Sequence, residues 1–324
     1  MTDHWIIAEG LVKRFGNTMA VNGVDLKVRP GTVLGMLGPN GSGKTTTVRM
    51  LATLLKPDAG HAAVGGYDIR TQPHQVRQLI GLTGQYASVD EKLTGRENLV
   101  LIGRLLGLSR SMAKQRATEL LAQFQLEDAA HKAAKAYSGG MRRRLDLAAS
   151  LVGRPGILFL DEPTTGLDPR ARLNLWTLIH ELVRQGTTVL LTTQYLEEAD
   201  HLADDIIVID RGRVIASGTP DQLKARVGAQ TLAVKAGREV DLPAIIELIS
   251  ELVSGAAEVE GLQVSAPAAS PDLLPAVVRR LDAAGIVPAE LMLRGPSLDD
   301  VFLSLTGRHA EADSDAETTR EPPR

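Results

Sequence analysis

Thr32-Val33-Leu34-Gly35-Met36-Leu37 is a continuous apolar run that leads directly into Gly38-Pro39-Asn40-Gly41-Ser42-Gly43-Lys44-Thr45. A short apolar run without alternation is the pattern of a strand buried on both faces, as in a parallel sheet. The residues after it fit G-x-x-x-x-G-K-S/T, and helical signals follow Gly43, which is the setting this motif needs. The glycines let successive backbone N–H groups curl around phosphate oxygens, where a side chain would block the approach. The following helix turns its partly positive N-terminus toward the same anion. Lys44 is placed to reach the β- and γ-phosphates of a nucleotide, and the Thr45 hydroxyl to bind Mg²⁺. Thr46 is a further donor, toward the α-phosphate. The alternative, a chance glycine-rich turn, would have to stand without support elsewhere.

Support comes from a second strand end. Ile157-Leu158-Phe159-Leu160 is an apolar run closed by Asp161-Glu162. Asp161 suits a Mg²⁺ ligand, and Glu162, one residue on, suits a water-facing carboxylate. Adjacent carboxylates repel, so they need a cation or separate roles. A pair of helix N-cap residues is the plain alternative. Around these runs, residues 4–36 alternate as strands, and 188–191 and 206–209 repeat the buried-strand pattern. Asp210-Arg211-Gly212 reads as a hairpin turn. Between about 86 and 136 the character becomes helical, with Ala113, Ala117, Leu120, Leu121 and Phe124 on one apolar stripe.

A length of 324 residues suggests about two domains. After residues 223–230 come two strand–helix pairs, 231–235 with 244–253 and 261–266 with 272–284. A last strand at 289–293 and a short helix at 298–305 follow. That order suggests a small α+β domain with a ferredoxin-like arrangement over 223–307. Residues 308–324 are polar and read as a disordered tail. With 44% hydrophobic and 23% charged residues the chain is globular in composition. A net charge of −3 argues against direct nucleic-acid binding. No cysteine is present, which excludes disulfides, thiolate metal sites and cysteine nucleophiles and fits a cytosolic location. The N-terminus lacks a secretory signal pattern, and no apolar run approaches the roughly 20 residues that span a bilayer. Any transport role must therefore be borrowed from a partner.

Between the two phosphate-chemistry motifs lies Tyr137-Ser138-Gly139-Gly140-Met141. In this order the three elements resemble the ATP-binding subunit of an ABC transporter over residues 4–222, with a helical subdomain at about 86–136. The middle element matches that family's Leu-Ser-Gly-Gly-Gln signature at three of five positions. The resemblance implies an α/β P-loop ATPase fold, with ATP and Mg²⁺ bound by residues 38–46. It implies that Phe15 stacks on adenine, although a core phenylalanine closing the first strand is an alternative. It implies that Gln85 touches Mg²⁺ and signals to a membrane partner. Asp168 would cross between subunits, while also reading as an N-cap before Pro169. After the strand at 188–191 the family usually carries histidine, and here Gln194 takes that place. A glutamine amide can donate to a γ-phosphate but cannot carry a proton. Gln194, with the 137–144 and 296–303 segments, makes the chain resemble the daunorubicin-resistance branch of these subunits.

The resemblance further implies a head-to-tail homodimer. Each ATP would lie between the Lys44 loop of one subunit and Ser138-Gly139-Gly140 of the other. Glu162 would act on the water, with Lys44 and Gln194 assisting, at the cytoplasmic membrane face on a separate multi-span permease. Arg142-Arg143-Arg144 reads first as a solvated helix face, with contact across the dimer as the other reading. Leu298, Val301, Phe302 and Leu305 form one apolar stripe, either plain core or a docking segment. Two further functions compete: a soluble ABC protein acting on ribosomes or DNA, and an ATP-holding regulatory module that barely hydrolyses.

Overall fold

Two alternating segments open the chain as an antiparallel pair, β1 (Ile6–Phe15) and β2 (Thr18–Val28). This computed structural model describes residues 4–84, 89–227, 230–253, 257–268 and 272–307. Gln85 and the tail at 308–324 lie outside the described residues. The chain divides into two compact units joined in sequence between Pro220 and Asp221, the second being Asp221–Gly307.

In the first unit, β3 (Val33–Leu37) is buried at every position, as its unbroken apolar run requires. The phosphate loop follows, and then α1 (Lys44–Leu51). Next come β4 (Ala59–Val64), β5 (Tyr67–Asp68), α2 (Pro73–Leu79) and β6 (Ile80–Thr83). The helical stretch holds α3 (Gly95–Leu105), opened by a Thr94–Glu97 capping box, and α4 (Arg110–Gln123), capped by Ser109. Ala113, Ala117, Leu120, Leu121 and Phe124 are all buried, so the apolar stripe faces inward. After α5 (Gly139–Ser150) come β7 (Ile157–Asp161), α6 (Pro169–Arg184), β8 (Thr188–Thr193), α7 (Leu196–Leu202), β9 (Asp205–Asp210) and β10 (Arg213–Gly218).

These strands form two sheets, β2-β1-β4-β5 and β10-β9-β3-β8-β7-β6. The second is parallel from β9 through β6, with β10 antiparallel at its edge. Its fully buried strands β3, β7 and β8 fit a parallel sheet covered on both faces. Ile6, Leu11 and Leu26 of the antiparallel sheet share one core with Val48 and Leu51 of α1 and with Phe159, Leu190 and Ile207 of the parallel sheet. The register pairs Leu37 with Thr193 and Asp161 with Thr192. The carboxyl ends of β3, β7 and β8 therefore stand side by side, where open parallel sheets bind their ligands.

α8 (Pro220–Val227) leads into the second unit: β11 (Gln230–Ala236), α9 (Leu242–Leu252), β12 (Glu258–Glu260), β13 (Gln263–Ala268), α10 (Leu273–Ala283), β14 (Pro288–Arg294) and α11 (Leu298–Thr306). The sheet order is β12-β13-β11-β14, all antiparallel, which with the βαββαβ sequence is ferredoxin-like. Alternate residues of β11 and β13, among them Leu232, Val234, Val264 and Ala266, pack with Ile245 and Ile249 of α9 and Val277 and Leu281 of α10. β12 has no counterpart in the sequence reading. Its three residues, Glu258-Val259-Glu260, are all exposed, and so short a run marks no strand. In α11, Leu298, Val301 and Phe302 are buried, whereas Leu305 is 41% exposed, so the expected stripe stops before the last turn.

Candidate active site

The phosphate loop is shaped by close packing against other backbone. A Cβ on Gly38 would stand 2.2 Å from the Ile209 carbonyl oxygen. Gly43 has φ 108°, and a Cβ there would meet the Ala20 carbonyl oxygen at 2.4 Å. Neither position admits another residue. The hairpin turn between β9 and β10 braces the loop: Arg211 and Gly212 both have positive φ, and Gly212 N–H donates to the Ser42 carbonyl at 2.8 Å. Sequence reading found this turn but not its second job.

Gly43 provides no side-chain cap for α1, which leaves the helix's first N–H groups to an incoming anion. The Ser42 hydroxyl is buried without a hydrogen-bond partner. A buried, unsatisfied donor beside bare helix-end amides is what a phosphate oxygen would satisfy. The Lys44 ammonium is buried and donates to the Gly38 and Pro39 carbonyls at 2.7 and 3.0 Å. Burial pulls its pKa below the ordinary lysine value, while the charges of Glu162 and Asp161 act the other way.

At the end of β7, Asp161 Oδ1 accepts from the Thr45 hydroxyl at 3.0 Å and from the Thr192 hydroxyl at 2.6 Å. Thr45 and Asp161 thus present two oxygens together, the donor set a hard cation such as Mg²⁺ takes. Glu162 is buried, with Oε1 3.9 Å from Lys44 Nζ and Oε2 accepting from the Thr165 hydroxyl at 3.4 Å. Its φ is +50°, in the left-handed region. Neither carboxylate caps a helix: that role belongs to Asp168, whose Oδ1 accepts from Ala171 N–H at 2.9 Å, with Pro169 opening α6. Asp168 is exposed, so capping leaves it accessible to another chain.

A cavity of about 530 Å³ opens over the phosphate loop and Glu162. It is lined by Asn40 to Thr46 of the loop, by Glu162, Thr165 and Gln194, and by Phe15 and Ala20. Phe15 is 51% exposed, which removes the core-phenylalanine reading and leaves a ring free to cover a base. Gln194 follows β8 and faces the same space as Lys44 and Glu162.

Ser138 stands apart from this cavity. It caps α5, its hydroxyl accepting from Met141 N–H at 3.2 Å, and is itself exposed. Ser138 and Gly140 line a separate hollow of about 170 Å³ with Asp168, Arg170 and Asn174. The two hollows share no lining residue. Gly139, also exposed, lies in the same loop.

The basic run after the signature is not a solvated face. Consecutive helical residues point about 100° apart and cannot share one side. Arg142 pairs with Glu91 at 3.2 Å, and Arg144 donates to the Phe124 carbonyl at 3.0 Å. Arg143 turns inward to the end of β7, donating to the carbonyls of Asp161, Glu162 and Pro163. Glu198 is a further buried group that the sequence did not flag. Trp176 Nε1 donates to it at 3.4 Å, and burial pushes its pKa up.

Comparison with known proteins decides the family. Residues 21–165 match the ABC transporter family. The daunorubicin resistance ATP-binding protein DrrA2 of Streptomyces coeruleorubidus is 51% identical, over 96% of this chain and 98% of that protein. The chain belongs to the ABC transporter ATP-binding proteins. The daunorubicin/doxorubicin resistance ATP-binding protein DrrA of Streptomyces peucetius is 50% identical, over 98% of this chain and 96% of that one. A solved dimeric ATP-binding cassette in a post-hydrolysis state, bound to ADP and Pi, is 25% identical with a TM-score of 0.61, covering 66% of this chain and 98% of that one.

As an ABC ATPase the chain binds ATP and hydrolyses it to drive export. Its α/β fold is that of the solved cassettes. Among the described residues no helix is long and apolar enough to cross a membrane.

Proposed function

We propose that this chain powers a drug exporter as a head-to-tail homodimer docked on the cytoplasmic face of a separate membrane-spanning permease. One observation carries the dimer: the Lys44 loop and the Ser138 helix end are each half of a phosphate site, yet they line different hollows of one chain. A second copy, reversed, brings Ser138, Gly139 and Gly140 over the ATP held by the first. The dimeric cassette among the solved relatives supports this arrangement. The drug-like cargo rests on the daunorubicin-resistance relatives. The permease reading is supported by α3 and the start of α4, where Leu101, Leu105, Leu106 and Met112 are exposed, Leu105 at 77%. Exposed apolar side chains of this kind are what a partner surface would cover.

Within the closed site, Lys44 and the loop amides hold the β- and γ-phosphates. Glu162 orients the attacking water and takes its proton. Gln194 donates to the γ-phosphate without changing charge, so Glu162 is the base. Thr45 and Asp161, with Gln85, would hold Mg²⁺, which supplies charge neutralisation on the phosphates. Closure is driven by contacts that the γ-phosphate makes only when both halves meet, and its loss on hydrolysis reopens the dimer.

The complex is tested by purifying the tagged chain from its own cells in mild detergent. A multi-span membrane protein in near-equal amount is the expected partner. Recovery with ribosomal proteins or DNA instead would overturn the exporter assignment. Adenine stacking is tested at Phe15. Base–aromatic stacking contributes about 1–3 kcal/mol, so Phe15→Ala should weaken ATP binding by roughly 5–100-fold. Binding of inorganic triphosphate, which has no base, should not change. Equal loss for both ligands would assign Phe15 a structural role.

A further inference from the structure

Glu162 carries its carboxylate on a backbone of positive φ, +50°. A residue with a Cβ is disfavoured there and persists only where its surroundings hold it. On its N-terminal side, Glu162 N–H donates to the Thr192 carbonyl at 3.0 Å and faces the Thr192 hydroxyl at 3.2 Å. On its C-terminal side Thr165 gives two long bonds, N–H to the Glu162 carbonyl and hydroxyl to Oε2, both at 3.4 Å, and the shorter bonds come from one side chain. Arg143 Nη2 donates to the Asp161 carbonyl at 3.1 Å and to the Glu162 carbonyl at 2.9 Å. Its Nε donates to the Pro163 carbonyl at 2.7 Å, and its Nη1 to the Gly84 carbonyl at 2.9 Å. Asp146, on the same helix, has Oδ2 3.6 Å from Nη1. In an extended strand successive carbonyls point to opposite sides. The left-handed turn at Glu162 brings three in a row onto one guanidinium.

We propose that Arg143 is a positioning residue for hydrolysis: it fixes the backbone turn that aims the Glu162 carboxylate, without reaching the ATP cavity of its own subunit. This rests on the reading of Glu162 as general base. The side chain is 16% exposed, so these bonds form largely out of water. Only a planar fork of N–H donors spans three carbonyls at once. A lysine ammonium keeps the charge but is a single point. Arg143 is absent from the lining of the Lys44 cavity, and although it borders the Ser138 hollow its Nε, Nη1 and Nη2 all donate to carbonyls of its own chain, so its contribution to ATP affinity should be small.

The test is a double-mutant cycle in the full-length protein with its membrane partner, read as steady-state kcat and KM and as single-turnover phosphate release. A base displaced by about 1 Å loses on the order of 10²-fold in rate. Arg143→Met should therefore lower kcat about 100-fold while KM for ATP stays within about threefold, and Arg143→Lys should recover part of the loss. With Glu162→Gln already in place, Arg143→Met should cost little more, because the aim of an absent base no longer matters. Normal kcat in Arg143→Met, a raised KM with unchanged kcat, or a loss that multiplies with that of Glu162→Gln would each overturn the role. If Arg143→Met does not fold, Arg143→Lys carries the same cycle with the same criteria. Full turnover in Glu162→Gln alone would refute the base reading instead, so the two failures are distinguishable.

Discussion

Replacing Glu162 with glutamine should lower ATP turnover by about 10²–10⁴-fold, the usual contribution of a positioned general base. The substitution keeps size and shape, so the buried side chain should not disturb the fold. It removes the proton acceptor and the charge that faces Lys44 Nζ across 3.9 Å. The phosphate loop is untouched, and nucleotide binding should persist. A protein that binds ATP but cannot cleave it keeps the γ-phosphate that holds the closed dimer, so a stable ATP-bound dimer should accumulate. Size-exclusion chromatography with Mg²⁺ and ATP, alongside a phosphate-release assay, reads both effects. Full turnover in the variant would sink the assignment of Glu162. Loss of turnover with no dimer would leave the base intact and refute the closure argument.

Lys44→Ala should act earlier, on binding. The lysine ammonium is held on the Gly38 and Pro39 carbonyls at 2.7 and 3.0 Å, at the floor of the loop. A hydrogen bond to a charged group contributes about 1.5–3 kcal/mol, which predicts affinity for ATP reduced by roughly 10–100-fold. The depressed pKa of Lys44 has a sign that matters here. Burial lowers the Lys44 pKa in the free protein, and an incoming phosphate raises it again. ATP binding should therefore be accompanied by some proton uptake at high pH, and Lys44→Ala should abolish that component. Titration calorimetry in two buffers of different ionisation enthalpy measures affinity and proton uptake together. Unchanged affinity would refute the role.

The parts of the site that could be read from sequence are those where chemistry and neighbours lie close along the chain. The Gly38–Thr45 loop and the Asp161–Glu162 pair each follow a buried strand directly, so an apolar run and a polar signature occur together. Parallel pairing of β7 with β8 and of β8 with β3 then brings Asp161 within reach of Thr45. Other features were hidden for specific reasons. The carbonyls that Arg143 donates to lie 18 to 59 positions away, and its helical neighbours Arg142 and Arg144 disguised it as part of a charged surface. Phe15 closes an alternating strand, where alternation alone cannot separate a core ring from an open one. β12 is three exposed residues, too short for its alternation to count. Leu305 kept the helical spacing of Leu298, Val301 and Phe302, but spacing fixes a face and not the depth to which that face is covered.

The phosphate loop recognises its ligand chiefly with main chain. Gly38 and Gly43 matter for what they lack, and the amides that face the anion are common to every residue. Such a site has almost nothing for selection to adjust: a substitution either fills the cradle or leaves it alone. Affinity is then adjustable only through the few side chains that reach into the cavity, such as Lys44, Thr45 and Phe15, and not through the backbone that forms the cradle.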